Sequence, residues 1–432
     1  MKNSVDKGRG AMYVASRVFL GPDTVLSPGA VSVSAGTVIA VGSPRDAERS
    51  LPSGFERLEF PGGAILPGLV NAHTHLQIPR LSPPSGDSRS AFVDWILRVI
   101  AWKRAAPPGE YRRNFEEAVA GALSAGTTSL GEISGPDAAV YRDCPLRARV
   151  FAEGIGFAPE AAGPVLAAVE AAIDQLEKSD GETGGRIAPG VSPHTLYTVG
   201  PALLGLLGGL AARKGIPACL HLAESLAEME FLSTGGGDVA DRLYPAVGKD
   251  VSWFRGIGMS IPRYLRNAGL LRKGLLLVHN VHLSREEIDA LRRGGARFVL
   301  CPRSNAAHGN GSPDVTHFVD AGIPFALGTD SLGSVPDLSV WEEMRAARSL
   351  YRGKLTDREL CRALFRAATE NGSAALSLPG GALRPGDPAD FVVMDDAGGE
   401  GSEASIRNLV DRAGKRNIRL TVVGGSRRWE RA

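Results

Sequence analysis

Leu66-Pro-Gly-Leu-Val-Asn-Ala-His-Thr-His-Leu76 decides how this chain is read. An apolar run ends in two imidazoles one residue apart, His73 and His75. On a β-strand, residues i and i+2 point to the same side, so both rings can converge on one cation at a strand mouth. A His-x-His also occurs on ordinary surfaces, so its weight rests on the histidines and the aspartate further along the chain. His221 and His279 each end a later strand-like run, His194 comes just after another, and Asp330 closes Leu327-Gly-Thr-Asp330. Three imidazoles and one carboxylate suit Zn²⁺ or Fe²⁺ with a position left for water. Singly, each histidine reads as a satisfied structural residue. Their shared place at strand C-termini points to one face.

Between residues 66 and 380 the texture alternates. Apolar runs (Thr127 to Leu130, Ala148 to Phe151, Ile187 to Val191, Ala218 to Leu222, Leu275 to His279, Phe298 to Cys301, Phe325 to Gly328) are each followed by a helical stretch. Glu116 to Ala125 and Pro164 to Lys178 carry the spacing of amphipathic helices. With the strand before His73 there are eight strands, which predicts an α/β chain built as a (β/α)₈ TIM barrel. A doubly wound sheet is the alternative; polar residues recurring at strand C-termini favour the barrel. Residues 1–65 and 381–432 share a different texture of short strands broken by Gly, Pro and Asp. Val31 to Val41 reads as a hairpin turning at Ala35-Gly36. Asp390 to Asp395 and Leu420 to Gly424 read as strands with no long helix between them. The two ends are expected to form one small β-sandwich-like domain, with residues before Tyr13 a loose tail. Gly235-Gly-Gly-Asp238 opens a segment reaching Pro262 that reads equally as a mobile flap or a surface excursion.

The net charge of +2 over 432 residues gives no electrostatic case for nucleic acid or for a membrane surface. No apolar run is long enough to span a bilayer, and the polar start is a poor signal peptide. Cys144, Cys219, Cys301 and Cys361 are scattered, which fits free thiols in a reducing cytoplasm. Self-association into a homo-oligomer is compatible with this composition.

The combination of His73-Thr-His75, His221-Leu-Ala-Glu224, His279 in Leu-Val-His-Asn-Val-His and Gly328-Thr-Asp330 resembles the amidohydrolase superfamily. The likeness runs from about Tyr13 to Val423 and is nearest to the branch of aminohydrolases and chlorohydrolases. That resemblance implies one divalent metal, zinc or iron, on His73, His75, His221 and Asp330. Ile187-Ala-Pro-Gly-Val-Ser-Pro-His194 lacks the lysine that bridges two metals in binuclear members, which implies a mononuclear site. The resemblance further implies that Glu224 protonates a ring nitrogen, that Asp330 moves the water proton, that His279 orients the attacking oxygen and that His194 contacts substrate. A supporting role beside the metal is the alternative for Glu224, and orienting a loop that for His194. His282 reads as an ordinary helix-start residue; His308 and His317 have no assigned role.

Adenine-nucleoside deaminases of this branch that take S-adenosylhomocysteine carry an acidic residue after the first strand. Following Trp95, this chain offers Arg98, Lys103 and Arg104 instead, which would suit a substrate carboxylate, or be solvated helix charges. His221 to Glu230 and Cys301-Pro-Arg-Ser-Asn305 look like the futalosine-route deaminases of menaquinone synthesis, with Arg303 a second candidate contact. The expected activity is deamination of an adenine-bearing small molecule, with 6-aminodeoxyfutalosine as the leading substrate. S-adenosylhomocysteine or methylthioadenosine deamination, triazine dechlorination and cyclic-amide opening are the alternatives; a scaffold without catalysis would be expected to have lost ligands.

Overall fold

The computed structural model describes residues 10–51, 53–81, 89–135, 138–396 and 402–431. Eight parallel strands succeed one another around a sheet in strict chain order: Leu69–Thr74, Thr127–Ile133, Arg147–Gly154, Ile187–Pro193, Ala218–Leu222, Leu275–His279, Arg297–Leu300 and Phe325–Leu327. Register between neighbouring strands sets His221 beside Val278 and Val278 beside Val299. A parallel bridge between Thr74 and Asp330 joins last to first, closing the barrel. Asn71 Nδ2 donates to Thr329 Oγ1 at 2.7 Å across that seam. Gly328 is required there, because a Cβ would lie 2.6 Å from the Cβ of His73. The Gly-Thr-Asp motif thus combines closure of the barrel with presentation of a carboxylate.

The predicted helices run longer than expected, over Glu110–Ser124 and Ala162–Thr183. Their apolar stripes face the barrel through Phe115, Val119, Ala122, Val169, Ile173 and Leu176, all buried. Removing such side chains from water is the main stabilising term for a fold of this size.

The two chain ends form a second, mixed sheet of eight strands. Glu56–Pro67 pairs parallel with Ala11–Phe19 and antiparallel with Phe391–Asp395, so the sheet needs both ends of the chain. The expected hairpin is present, with Ala35 and Gly36 at φ of 49° and 80° making its turn. Arg147, low in the third barrel strand, donates to Asp390 at 2.8 Å, and both are buried. That ion pair ties the small sheet to the barrel. All four cysteines are buried and free. Among the described residues no helix is long and apolar enough to cross a membrane.

Two expectations change. The first strand begins at Ala11, inside the stretch read as tail, while residues 1–9 lie outside the described residues. An 11-residue helix, Ser402–Arg412, stands between the C-terminal strands where no long helix was expected. Its Ile406, Leu409, Val410 and the following Ala413 are buried, a helical spacing too short to stand out beside flanking glycines.

Candidate active site

Six of the side chains singled out in the sequence meet at the C-terminal mouth of the barrel. The ligand atoms of His73, His75 and His221 lie within 4.8 Å of one another. Asp330 Oδ1 faces them, 3.8 Å from His73 Nε2 and 3.7 Å from His75 Nε2. Its other oxygen, Oδ2, accepts from Ser304 at 2.7 Å and from Ser334 at 2.8 Å, so one oxygen is pinned and one left for the centre. His221 donates through Nδ1 to the His194 carbonyl at 2.7 Å, which turns its Nε2 lone pair inward. That Nε2 is 3.2 Å from His75 Nε2. Both ring nitrogens of His73 are buried without a hydrogen-bond partner among the described residues.

Leaving buried polar atoms unpaired costs about 1–3 kcal/mol each. Burial, reinforced by neighbouring imidazoles, drives His73 and His75 well below the ordinary histidine range, so the rings are neutral donors of electron pairs. Neutral imidazole nitrogens crowded around a carboxylate oxygen are a fitting environment for a divalent cation. The donor set therefore fits one metal ion.

Glu224 and His279 sit beside this cluster. His279 donates through Nδ1 to Asn305 Oδ1 at 2.9 Å, leaving Nε2 3.6 Å from Glu224 Oε2. Burial, aided by Asp330, raises Glu224 well above the usual carboxyl range. Its backbone N–H donates to Glu228 at 2.8 Å, and Asn310 donates to its Oε1 at 3.3 Å. The backbone here is strained. Ala223, His279, Asn280 and Asp330 hold φ of 51°, 73°, 58° and 66°, a region L-residues avoid at a cost of about 1–3 kcal/mol each. Ties between neighbouring strand ends keep them there: Asn280 N–H donates to Leu222 O and Asp330 N–H to His73 O.

Above the cluster opens a cavity of about 640 Å³. His194 lines it, with Nδ1 bonded to Thr198 Oγ1 at 2.8 Å and Nε2 4.0 Å from Glu153. The helix Arg89–Ala105 forms one wall. Trp95, Ile96, Val99, Ile100 and Lys103 share a stripe and line the cavity. Arg98 and Arg104 fall off that stripe, exposed and outside the lining, as a repeat of 3.6 residues dictates. Arg303 is likewise outside the lining. Its guanidinium is bound by buried Glu343 at 2.6 Å and by Asp337 at 3.0 Å. The expected contacts from Arg98, Arg104 and Arg303 are therefore not formed at the cavity, whereas Lys103 and Lys249 do reach it. Neither lysine has a carboxylate partner among the described residues.

The segment after Gly235 supplies the outer wall through Leu243, Tyr244, Val247, Lys249 and Val251. It is packed rather than loose: Tyr244 donates to the Tyr197 carbonyl at 2.7 Å, and Phe157 is ringed by Phe231, Tyr244, Trp253 and Phe254. His282 lies in the turn before the helix Arg285–Arg293. His308 is buried against Trp95 and 3.1 Å from Ser334, and His317 pairs with Asp289. Sequence reading missed Glu132, Glu153, Ser304, Asn305 and Ser334. The first two are single acids at strand ends. Ser304 and Asn305 stand in the quoted Cys301-Pro-Arg-Ser-Asn305 motif, one and two residues past Arg303, but only the charged residue was given a role.

Residues 64–428 match the amidohydrolase family. The chain is 33% identical over 361 residues to the aminodeoxyfutalosine deaminase of Deinococcus radiodurans, covering 81% of this chain and 82% of the relative. It is 31% identical over 395 residues to the 5-methylthioadenosine/S-adenosylhomocysteine deaminase of Halobacterium salinarum, covering 89% and 84%. Its structure is similar to that of Helicobacter pylori aminofutalosine deaminase in complex with methylthio-coformycin. The TM-score is 0.84 at 23% identity, over 96% of this chain and 99% of the other, a likeness of fold. An adenosine deaminase from Xanthomonas campestris with bound zinc superposes at a TM-score of 0.81 and 26% identity, over 98% and 93%. With its barrel closed and its histidines and carboxylates gathered at the strand ends, the chain belongs to the amidohydrolase family.

Proposed function

We propose that this protein is a metal-dependent hydrolytic deaminase of an adenine-bearing, nucleoside-like substrate. The observation that carries the reading is the convergence of His73, His75, His221 and Asp330 Oδ1 directly beside Glu224 and His279. The four donors would hold one divalent ion, zinc by preference, with iron compatible with the same set. Such an ion supplies Lewis acidity that brings the pKa of water near neutrality.

The protein groups do the rest. Glu224, kept protonated by burial, gives its proton to the ring nitrogen next to the carbon that carries the amine, making that carbon more electrophilic. His279 accepts a hydrogen bond from the attacking water at Nε2, its ring fixed by Asn305. Asp330 Oδ1 takes the proton of the water and hands it to the departing amine while Ser304 and Ser334 keep the carboxylate from rotating. As the C–N bond breaks and the attacking oxygen becomes a carbonyl, its remaining proton returns to Glu224 and ammonia leaves. His194 Nε2 and the face of Trp95 hold the heterocycle.

For the particular substrate the reading is 6-aminodeoxyfutalosine, an adenine joined to a benzoate, which places the enzyme in menaquinone synthesis. The 33% identical relative supports it. So does a cavity within the size range that takes drug-sized ligands, with Lys103 and Lys249 as partners for a carboxylate. Deamination of S-adenosylhomocysteine or methylthioadenosine is the second reading, supported by the Halobacterium relative.

The test is ammonia release by zinc-loaded protein from adenosine, methylthioadenosine, S-adenosylhomocysteine and aminodeoxyfutalosine, with His73→Ala as control. Metal-dependent turnover concentrated on aminodeoxyfutalosine bears the proposal out; preference for S-adenosylhomocysteine or methylthioadenosine selects the second reading. No ammonia from any of the four overturns both and turns attention to chloride release or ring opening.

A further inference from the structure

The His73-Thr-His75 clamp does not lie on a regular strand. Along the first barrel strand the register runs from Asn71 opposite Leu130 to Thr74 opposite Glu132, three steps against two. One extra residue is therefore accommodated between Asn71 and Thr74, a bulge of the kind that re-aims side chains near active sites. The strand ends at Thr74, so His75 already lies beyond it. Nothing in strand pairing alone fixes where His75 points.

Glu132, at the end of the second barrel strand, supplies what pairing does not. It is fully buried. Thr74 Oγ1 donates to its Oε2 at 2.6 Å, and the Leu76 N–H donates to both carboxyl oxygens at 3.1 Å. Tyr141 donates to Oε1 at 3.1 Å, and Gln77 donates in turn to the Tyr141 hydroxyl at 3.4 Å. The carboxyl thus grips the residue before His75 and the residue after it, and it is held by a buried phenol.

We propose that Glu132 is a positioning residue that locks the bulged His73-Thr-His75 segment in its metal-binding geometry. Thr74 and Tyr141 act with it, one as the handle it holds and the other as its brace. The inference rests on the metal reading above. Partners that orient metal ligands without touching the metal commonly change affinity by about 10- to 100-fold when removed.

The experiment is Zn²⁺ affinity, measured by competition with a chromophoric chelator, for wild type, Glu132→Gln and Thr74→Val, alongside the Tm of each metal-free protein. Thr74→Val is nearly isosteric and keeps its strand, so it decides the matter even if Glu132→Gln does not fold. The expected result is zinc binding weakened about 10- to 100-fold in Glu132→Gln and about 10-fold in Thr74→Val, at one ion per chain. Unchanged zinc affinity of the folded variants, with only the metal-free Tm lowered, would assign Glu132 a purely structural role and overturn the inference. If wild type itself took up no zinc, the metal reading would fall, and this inference with it.

Discussion

At the floor of the cavity the polar side chains are buried and their free atoms are few: Asp330 has one oxygen pinned by two serines, His221 and His279 each spend one ring nitrogen on a fixed acceptor, and Glu224 is tied through Glu228 and Asn310. On the outer wall the lining is Ile96, Val99, Ile100, Val247 and Val251, with Lys103 and Lys249 exposed and without carboxylate partners among the described residues. The floor stands on the ends of adjacent strands, where each residue's direction is set by several hydrogen bonds at once. The wall stands on one helix face and one excursion, which contribute shape and a few charges on long stems. A floor of this kind fixes the chemistry, and a wall of this kind is free to choose the substrate.

Breaking the floor should have the largest effect. Glu224→Gln keeps the shape and removes the proton, so kcat should fall about 10²- to 10⁴-fold while bound metal, read by elemental analysis, stays at the wild-type level. A drop in both would make Glu224 a support of the metal site. Next in size, Arg303→Ala leaves Glu343, whose side chain is fully buried, without its partner. Unfolding free energy from urea titration should fall by about 3–5 kcal/mol with the order of substrate preference unchanged. A changed preference with intact stability would restore Arg303 as a substrate contact.

On the wall, Lys103→Ala should lower kcat/KM about 10- to 100-fold for a substrate with a carboxylate at its far end, the worth of one charge-assisted hydrogen bond. Turnover of methylthioadenosine, which has no such group, should barely change. Equal losses on both substrates would show that the lysine serves the floor. The last effect concerns pH and is spread over more than two pH units, so it is the most gradual of the four. Burial lowers His308 from 6.5 to about 4, so the folded state holds it neutral. Its contribution is complete above pH 6.5 and is lost as pH falls toward 4, up to about 3 kcal/mol at about 1.4 kcal/mol per pH unit. In His308→Gln the acid branch of a Tm-against-pH curve should flatten by that slope; an unaltered branch would mean the remaining buried histidines carry it all.

The same contrast explains which residues were legible in the sequence. His73, His75, His221, His279 and Asp330 each end an apolar run, and parallel strands feeding a barrel bring their C-terminal ends to one mouth. The stripe of Trp95, Val99 and Lys103 at intervals of four was also present in the sequence, and weighing it would have preferred Lys103 over Arg98 and Arg104. Arg303 misled because charge was taken as a sign of ligand contact. On the short helix Pro302–Ala307 it is Ser304 and Asn305 that turn inward. Glu132 and Glu153 gave no signal, since one acid at a strand end has no pattern to belong to.

Alternation of strand and helix, the His-x-His and Gly-Thr-Asp motifs, and the missing lysine of the fourth strand were set by the sequence alone, because period and spacing are local properties. Tertiary structure decided the bulge that aims His75, the buried carboxyl that holds it, the ion pair that consumes Arg303 and the packing of residues after Gly235 into a wall. Each of these depends on which distant side chain arrives within about 3 Å, and that distance exists only once the barrel has closed.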